Sequence, residues 1–331
     1  MKRLVSLTAL LAVAAGLVAA PAATATKPSD DQRVTVMSRN LFLGVDIRRA
    51  VAATTPEELG QLAIQLYNEV EATDVPGRMD LVADEIEAVD PDLVGLQEVT
   101  TWSTGARTLD YLQLLRKALK KRGLSYRVEG QEDEADVSLP TPEGTGSFEL
   151  GNAVLVKKGV KTSGVKTGVY KSQIGFPTAS NPSLRVRRNW ASMKATVGEA
   201  KFRFVNTHLE AYSNPEKLAQ ARELVAGPLK GRGPLIMTGD LNSNANLEDP
   251  ADRPPFVAVR RAGLVVAQTS RQTCCLNDDL KTGVRDHTVD FIMTKPRMKV
   301  VRSGLTGTRA TTSAGTQAAD HAGVWSTLLV P

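Results

Sequence analysis

The sequence is short of the residue types that make many functional sites easy to recognise. It has two cysteines, Cys274 and Cys275, and three histidines, His208, His287 and His321. Cysteine this scarce excludes a disulfide-framed scaffold, and no Cys/His cluster has the spacing of a structural zinc site. The two cysteines are adjacent, without the two-residue gap of thiol oxidoreductases, so no redox catalysis is expected of them. As neighbours they could pair as a vicinal disulfide, stay reduced or bond to another chain. Aromatic residues make up only 5% of the chain, few for a groove that stacks nucleobases. There is no Gly-x-Ser-x-Gly elbow, no P-loop and no Gly-x-Gly-x-x-Gly, which argues against serine hydrolases, nucleotide-driven motors and dehydrogenases. After the N-terminal stretch, no run is long and apolar enough to span a membrane.

That N-terminal stretch reads as a secretory signal. Lys2 and Arg3 precede an apolar run over 4–20, and Ala23, Thr24 and Ala25 form a small-residue cleavage site. The expectation is a leader over 1–25 and one α/β domain over 26–331, exported and secreted. Loss of Lys2 and Arg3 takes the net charge from +5 to +3. A balance that small argues against an extensive nucleic-acid groove, although a local basic patch would still steer a phosphate ester. With 331 residues, 42% of them apolar, the chain can bury a large core.

The periodicity alternates strands with helices, and polar residues recur at strand ends. A strand over 33–42 finishes at Asn40. Helices over 56–70 and 78–89 lead to a strand over 92–99 that carries Glu98. The pattern predicts a third helix over 106–122, a short strand over 126–129, and an exposed acidic loop over 130–148 bordering a site. Sheet resumes at Asn152, followed by a connection rich in Lys, Gly and Ser up to residue 183. Arg187 and Arg188 sit in the middle of an alternating segment over 184–197. The strand over 201–208 ends on Asn206 and His208, and a helix over 215–229 follows. Next comes the most informative stretch, Pro234 to Ser243, where an apolar run stops at Gly239 and delivers Asp240 and Asn242. Strand, helix and strand here form a βαβ-like unit that brings His208 and Asp240 to neighbouring strand ends. After a helix over 255–263, Asp290 lies within or beside one strand and Asp320 with His321 opens the last.

Collected from strand ends, these groups are rich in oxygen and free of sulfur. Carboxylates with amide oxygens suit a hard cation such as magnesium, manganese or calcium, where zinc would recruit more His or Cys. A hard cation beside histidines suits phosphate ester hydrolysis, and Asp290 orienting His321 is the candidate pair for activating water.

In order along the chain, Ser38-Arg39-Asn40-Leu41, Leu96-Gln97-Glu98-Val99, Arg188-Asn189-Trp190, Asn206-Thr207-His208-Leu209, Gly239-Asp240-Leu241-Asn242-Ser243, Val289-Asp290-Phe291-Ile292 and Asp320-His321-Ala322-Gly323-Val324 resemble the motifs of the endonuclease/exonuclease/phosphatase superfamily. The resemblance covers nearly the whole chain after the leader. It implies a four-layer α/β sandwich, two face-to-face, mainly antiparallel sheets flanked by helices. It also implies that Glu98, Asn40 and Asp320 hold the cation, magnesium by expectation with manganese or calcium as alternatives. Asp240 and Asn242 would position water and phosphate, His208 would contact a phosphoryl oxygen, and Asp290 would orient His321 as base, a role exchangeable with that of Asp240. Arg188, Asn206 and Asn152 are the expected phosphate contacts. His287 has no place in the pattern, and the Thr273-Cys274-Cys275-Leu276 segment resembles a cysteine-bearing loop of some exported relatives.

The resemblance leaves three substrate classes open: nucleic acid, a phospholipid headgroup as in sphingomyelinases, and an inositol phosphate. A nuclease-like phosphodiesterase is favoured on the basic balance and on the lysines of 157–171 ahead of the arginines of 185–188. The reading from another class is a catalytically silent protein that binds a phosphorylated ligand. Whether the ester is a mono- or diester stays open, and a monomer is the working expectation.

Overall fold

The computed structural model describes residues 32–245, 250–269 and 272–331, so the expected leader lies outside the described residues. The chain begins with β1 (Arg33–Asn40), α1 (Pro56–Glu71), α2 (Val75–Val89), β2 (Leu93–Ser103), β3 (Thr108–Asp110), α3 (Tyr111–Lys121), β4 (Tyr126–Thr141) and β5 (Gly144–Lys157). There follow β6 (Lys161–Val169), β7 (Ile174–Gly175), β8 (Arg185–Val186), β9 (Asn189–Val197), β10 (Ala200–His208), α4 (Asn214–Ala226) and β11 (Leu235–Asp240). The C-terminal part holds α5 (Pro254–Arg261), β12 (Val265–Val266), β13 (Cys274–Leu276), β14 (Gly283–His287), β15 (Asp290–Lys295), β16 (Lys299–Thr306) and β17 (Gly323–Leu329). Among the described residues no helix is long and apolar enough to cross a membrane.

Two sheets carry the fold. The first runs β16-β17-β1-β2-β5-β4 with β3 beside β2, and the second runs β12-β15-β11-β10-β9-β6. Only β1 with β2 and β10 with β11 are parallel; the other pairs in both sheets are antiparallel. Val34, Val36, Val154 and Val156 from the first sheet meet Met193, Phe204, Ile236 and Ile292 from the second in a core between them. On its outer face the first sheet offers Met37, Val94 and Leu96 to Leu66, Met79 and Leu115 of the helices α1, α2 and α3. The second sheet offers Val205, Leu235 and Met237 to Leu224 of α4 and Val259 of α5. Helices, sheet, sheet and helices make the expected four layers. Strand β11 opens on an unbroken apolar run because Leu235 and Met237 are buried on one face and Ile236 on the other.

Three local expectations differ from what is observed. The acidic stretch 130–148 is no loop: β4 and β5 form a hairpin paired from Tyr126 with Lys157 to Thr141 with Gly144. Register shifts between Glu129 and Glu132 and between Asp133 and Ala135 break its alternation, which hid the strand. The connection before residue 183 contains β6, an edge strand whose exposed Lys, Ser and Gly residues look like linker. The third helix begins only at Tyr111, because Asp110 accepts the Gln113 N–H at 2.9 Å as its cap and the residues before it pair with β2.

Candidate active site

The sheet registers bring the polar strand ends together. Pairing sets His208 opposite Asp240 and Asp240 opposite Asp290, so three neighbouring strands of the second sheet end on functional groups. Gly239 permits this: a side chain there would run into the Thr207 carbonyl oxygen. In the first sheet, parallel β1 and β2 bring up Asn40 and Glu98. Glu98 lies in a bulge between Leu96 and Val99 with φ of +54°, an unusual conformation for a glutamate that re-aims its carboxylate. That carboxylate accepts the Leu43 N–H at 2.7 Å and the Asn40 amide at 3.2 Å.

His321, just before β17, closes the group. Its Nδ1 is 2.8 Å from Asp290 Oδ2 and 3.8 Å from Asp240 Oδ2. Donor atoms of Asp240, Asp290 and His321 all lie within 4.8 Å of one another. Asp240 is held in turn by the Asn242 N–H at 2.8 Å and the Asn40 amide at 3.1 Å. Asn242 adopts φ of +47°, which asparagine tolerates, and its Nδ2 lies 3.1 Å from His208 Nε2.

Four acids therefore converge: Glu98, Asp240, Asp290 and Asp320. Burial pushes the Asp290 carboxyl up, with Asp240 adding to the push, and Asp290 Oδ1 is buried without a partner. Burial likewise takes Asp320 to about 6, and the charge of Glu98 contributes. For His321, burial opposes a proton, but Asp290, Asp320 and Asp240 outweigh it and hold the pKa well above the usual imidazole value. An excess of carboxylate oxygen with an orphaned acceptor fits a hard divalent cation, whose charge would relieve the mutual repulsion. Asp240, Asp290 and His321 form a group that could hold an ion, and Glu98 with the 15% exposed Asp320 is the pair that the sequence leads one to expect as ligands. Asn40 is the third expected ligand. Its oxygen accepts the Phe42 N–H at 2.9 Å, and its amide nitrogen bridges Glu98 and Asp240.

The three expected phosphate contacts lie deeper. Arg188 is buried and donates to Glu134 Oε2 at 2.6 Å, with its Nε 3.6 Å from Glu210 Oε2. Its charge is thus already matched by two acids. Asn152 donates to Glu134 Oε1 and to Asn189 Oδ1, both at 2.7 Å. Asn206 is a strut between the sheets, accepting from Gln97 at 2.6 Å and donating to the Leu96 and Ala153 carbonyls at 3.0 and 3.3 Å. His208 rests on this network: Nδ1 is 2.8 Å from Arg188 Nη1 and 3.3 Å from Glu134 Oε1. Burial and Arg188 oppose its protonation, yet Glu134 and Asp240 prevail and its pKa rises.

Several contributing residues were not legible in the sequence. Arg39, fully buried, donates to the carbonyls of His321 at 2.6 Å and Asn40 at 3.2 Å and pairs with Glu85 at 2.9 Å. Arg78, also fully buried, donates to the carbonyls of Leu41, Phe42 and Ala318, tying the loop after β1 to the one before His321. Thr273 Oγ1 accepts the Asp290 N–H at 3.2 Å. Charged residues in strands and helices carry no local sign that they are buried, so only their partners could have revealed these roles. His287 stands apart at the surface beside Asp286. Cys274 and Cys275 are bonded to each other, the first of the three states open to them, and Cys275 Sγ lies 3.7 Å from His321 Nε2.

Residues 60–318 match the Endonuclease/Exonuclease/phosphatase family, and the chain belongs to that family. Its members are phosphoesterase hydrolases. Solved structures share the fold at low identity. An endonuclease/exonuclease/phosphatase from Beutenbergia cavernae is 18% identical with a TM-score of 0.59, covering 90% of this chain and 72% of that one. The mannosyl-6-phosphatase Bt3783 of Bacteroides thetaiotaomicron is 17% identical with a TM-score of 0.58, over 89% of this chain and 99% of that one. D. rerio TDP2 complexed with a single-strand DNA product is 16% identical with a TM-score of 0.55, over 89% and 98% respectively. No curated protein matches the chain in sequence.

Proposed function

We propose that the chain is an exported, divalent-metal-dependent phosphodiesterase, nuclease-like in substrate, in which water attacks phosphorus directly. The observation that carries this reading is the 2.8 Å contact of Asp290 with His321 at one end of a group completed by Asp240. Asp290 fixes the imidazole through Nδ1 and leaves Nε2 to exchange a proton. Three carboxylates favour a protonated His321. The imidazolium then donates to the departing oxygen, and Asp240 takes the proton of the attacking water. Asn242 and His208, 3.1 Å apart on the other side of Asp240, orient the phosphoryl oxygens. A divalent cation held by Glu98 and Asp320, magnesium by preference, would neutralise phosphoryl charge and stabilise the leaving oxygen.

Export is supported by the leader pattern of Lys2, Arg3, the apolar run over 4–20 and the small residues up to Ala25. Polynucleotide is supported by the DNA product held by D. rerio TDP2, a protein of the same fold. Arg188 adds no unmatched positive charge for a polynucleotide, since Glu134 and Glu210 match it.

The test is product release by residues 26–331 from plasmid DNA, RNA, sphingomyelin and an inositol phosphate, with magnesium and with a chelator. Nucleic acid is cleaved with magnesium, chelator abolishes cleavage, and excess magnesium restores it. Cleavage of sphingomyelin alone moves the substrate to a phospholipid with the same centre. Cleavage that survives the chelator contradicts metal dependence, and no cleavage of any member by metal-replete protein supports the silent phospholigand-binding reading.

A further inference from the structure

The disulfide-bearing ribbon β13–β14 is built into the centre. The Leu276 N–H donates to the Asp320 carbonyl at 3.1 Å, and the Ala322 N–H donates to the Thr273 carbonyl at 2.7 Å. Arg285 adds bonds to the Asp320 and Ala319 carbonyls at 2.8 and 2.9 Å. These backbone ties do not depend on the sulfur–sulfur bond, so they hold both sulfurs beside His321 whether or not it is intact.

From this placement we infer that Cys274, Cys275 and His321 form a second, thiophilic metal site, created when the disulfide is reduced and suited to zinc or cadmium. The donor atoms of the three residues lie within 4.8 Å of one another. Around a tetrahedral zinc, a sulfur at ~2.3 Å and a nitrogen at ~2.1 Å stand about 3.6 Å apart. Cys275 Sγ and His321 Nε2 are 3.7 Å apart. The imidazole is already oriented as a ligand, because Asp290 holds Nδ1 at 2.8 Å and directs Nε2 toward the sulfur. Two thiolates with one imidazole suit a soft or borderline ion, whereas the oxygens of Glu98 and Asp320 suit a hard one, so the two ions sort by ligand type. Cys275 is half-buried, which leaves the sulfur reachable.

The chemistry balances. A phosphine reductant and one water convert the disulfide to two thiols and the phosphine oxide. The divalent ion then displaces three protons, one from each thiol and one from Nε2 of the imidazolium, as it binds both sulfurs and Nε2, leaving a fourth position to water. If His321 carries the proton transfer proposed above, filling this site also silences hydrolysis.

The test is titration of the full chain with cadmium in excess magnesium, following thiolate-to-cadmium charge-transfer absorption, a readout independent of activity. The phosphine-reduced chain takes up one cadmium with that absorption, and the oxidised chain shows none. Cys275→Ser removes the absorption, and His321→Gln weakens binding at least tenfold. On the unsubstituted reduced chain, cadmium-113 resonance reads two sulfurs and a nitrogen, which covers the case of a variant that does not fold. Absence of charge transfer after reduction, unchanged affinity in His321→Gln, or a resonance without nitrogen overturns the site. Loss of the absorption with hydrolysis intact touches this site alone, and intact cadmium binding without any hydrolysis touches only the phosphodiesterase reading.

Discussion

Phosphodiester cleavage by a His321→Ala chain falls by about 10²–10⁴-fold in kcat, the range a positioned acid–base group contributes. In the proposed mechanism the loss is in kcat, because the imidazole would act at Nε2 on a proton in flight while His208 and Asn242 would retain their hold on the phosphoryl oxygens. Asp290→Asn loses a comparable share, since its carboxylate both fixes Nδ1 at 2.8 Å and favours the charged ring. Affinity for magnesium, measured by calorimetry, stays within a few-fold in both variants because Glu98 and Asp320 are untouched. If His321→Ala keeps more than a tenth of the wild-type kcat, His321 is not the proton carrier, and Asp240 becomes the residue to examine.

Truncating Glu134 to alanine destabilises the fold by about 3–5 kcal/mol, the range for removing one partner of a buried ion pair. The glutamate is fully buried, pairs with Arg188 at 2.6 Å and accepts from Asn152 at 2.7 Å, so its loss strands a guanidinium and an amide. Burial alone would raise its carboxyl, but Arg188 and His208 overcome that and bring it down to about 2. A carboxyl lowered in the folded state stabilises the fold fully above its unfolded value, here 4.5, and loses that contribution as pH falls toward 2. The share at stake is on the order of 3 kcal/mol, from about 2.5 units at 1.36 kcal/mol each. Urea midpoints at pH 6 and pH 3 therefore fall further for the wild-type chain than for Glu134→Gln, which has no such charge to lose. Parallel decreases in the two chains contradict the assignment.

The sequence made the second sheet's contribution legible because its signal is local. An apolar run that stops at Gly239 and is followed by Asp240 and Asn242 needs no partner to be read, and the β10–α4–β11 unit then fixes His208 beside Asp240. Asn206 shows the limit of that grammar. It ends the same strand two residues before His208, yet its side chain is taken up by Gln97, Leu96 and Ala153 between the sheets. Glu134, Arg39 and Arg78 were illegible for another reason. Each is a charge buried against groups far away in sequence, such as Arg188 for Glu134 and His321 for Arg39, and a charged residue in isolation reads as solvent-facing. The hairpin β4–β5 was lost with Glu134, because its bulges remove the two-residue period on which strand recognition depends.

In the proposed mechanism water attacks phosphorus in one step at the centre formed by Asp240, Asp290 and His321. Cleavage of a chiral phosphorothioate diester in oxygen-18 water, followed by configurational analysis of the product, tests it directly. A single displacement inverts the configuration at phosphorus, which is the predicted result. Retention would mean two displacements through a phosphorylated side chain, and would contradict direct attack by water.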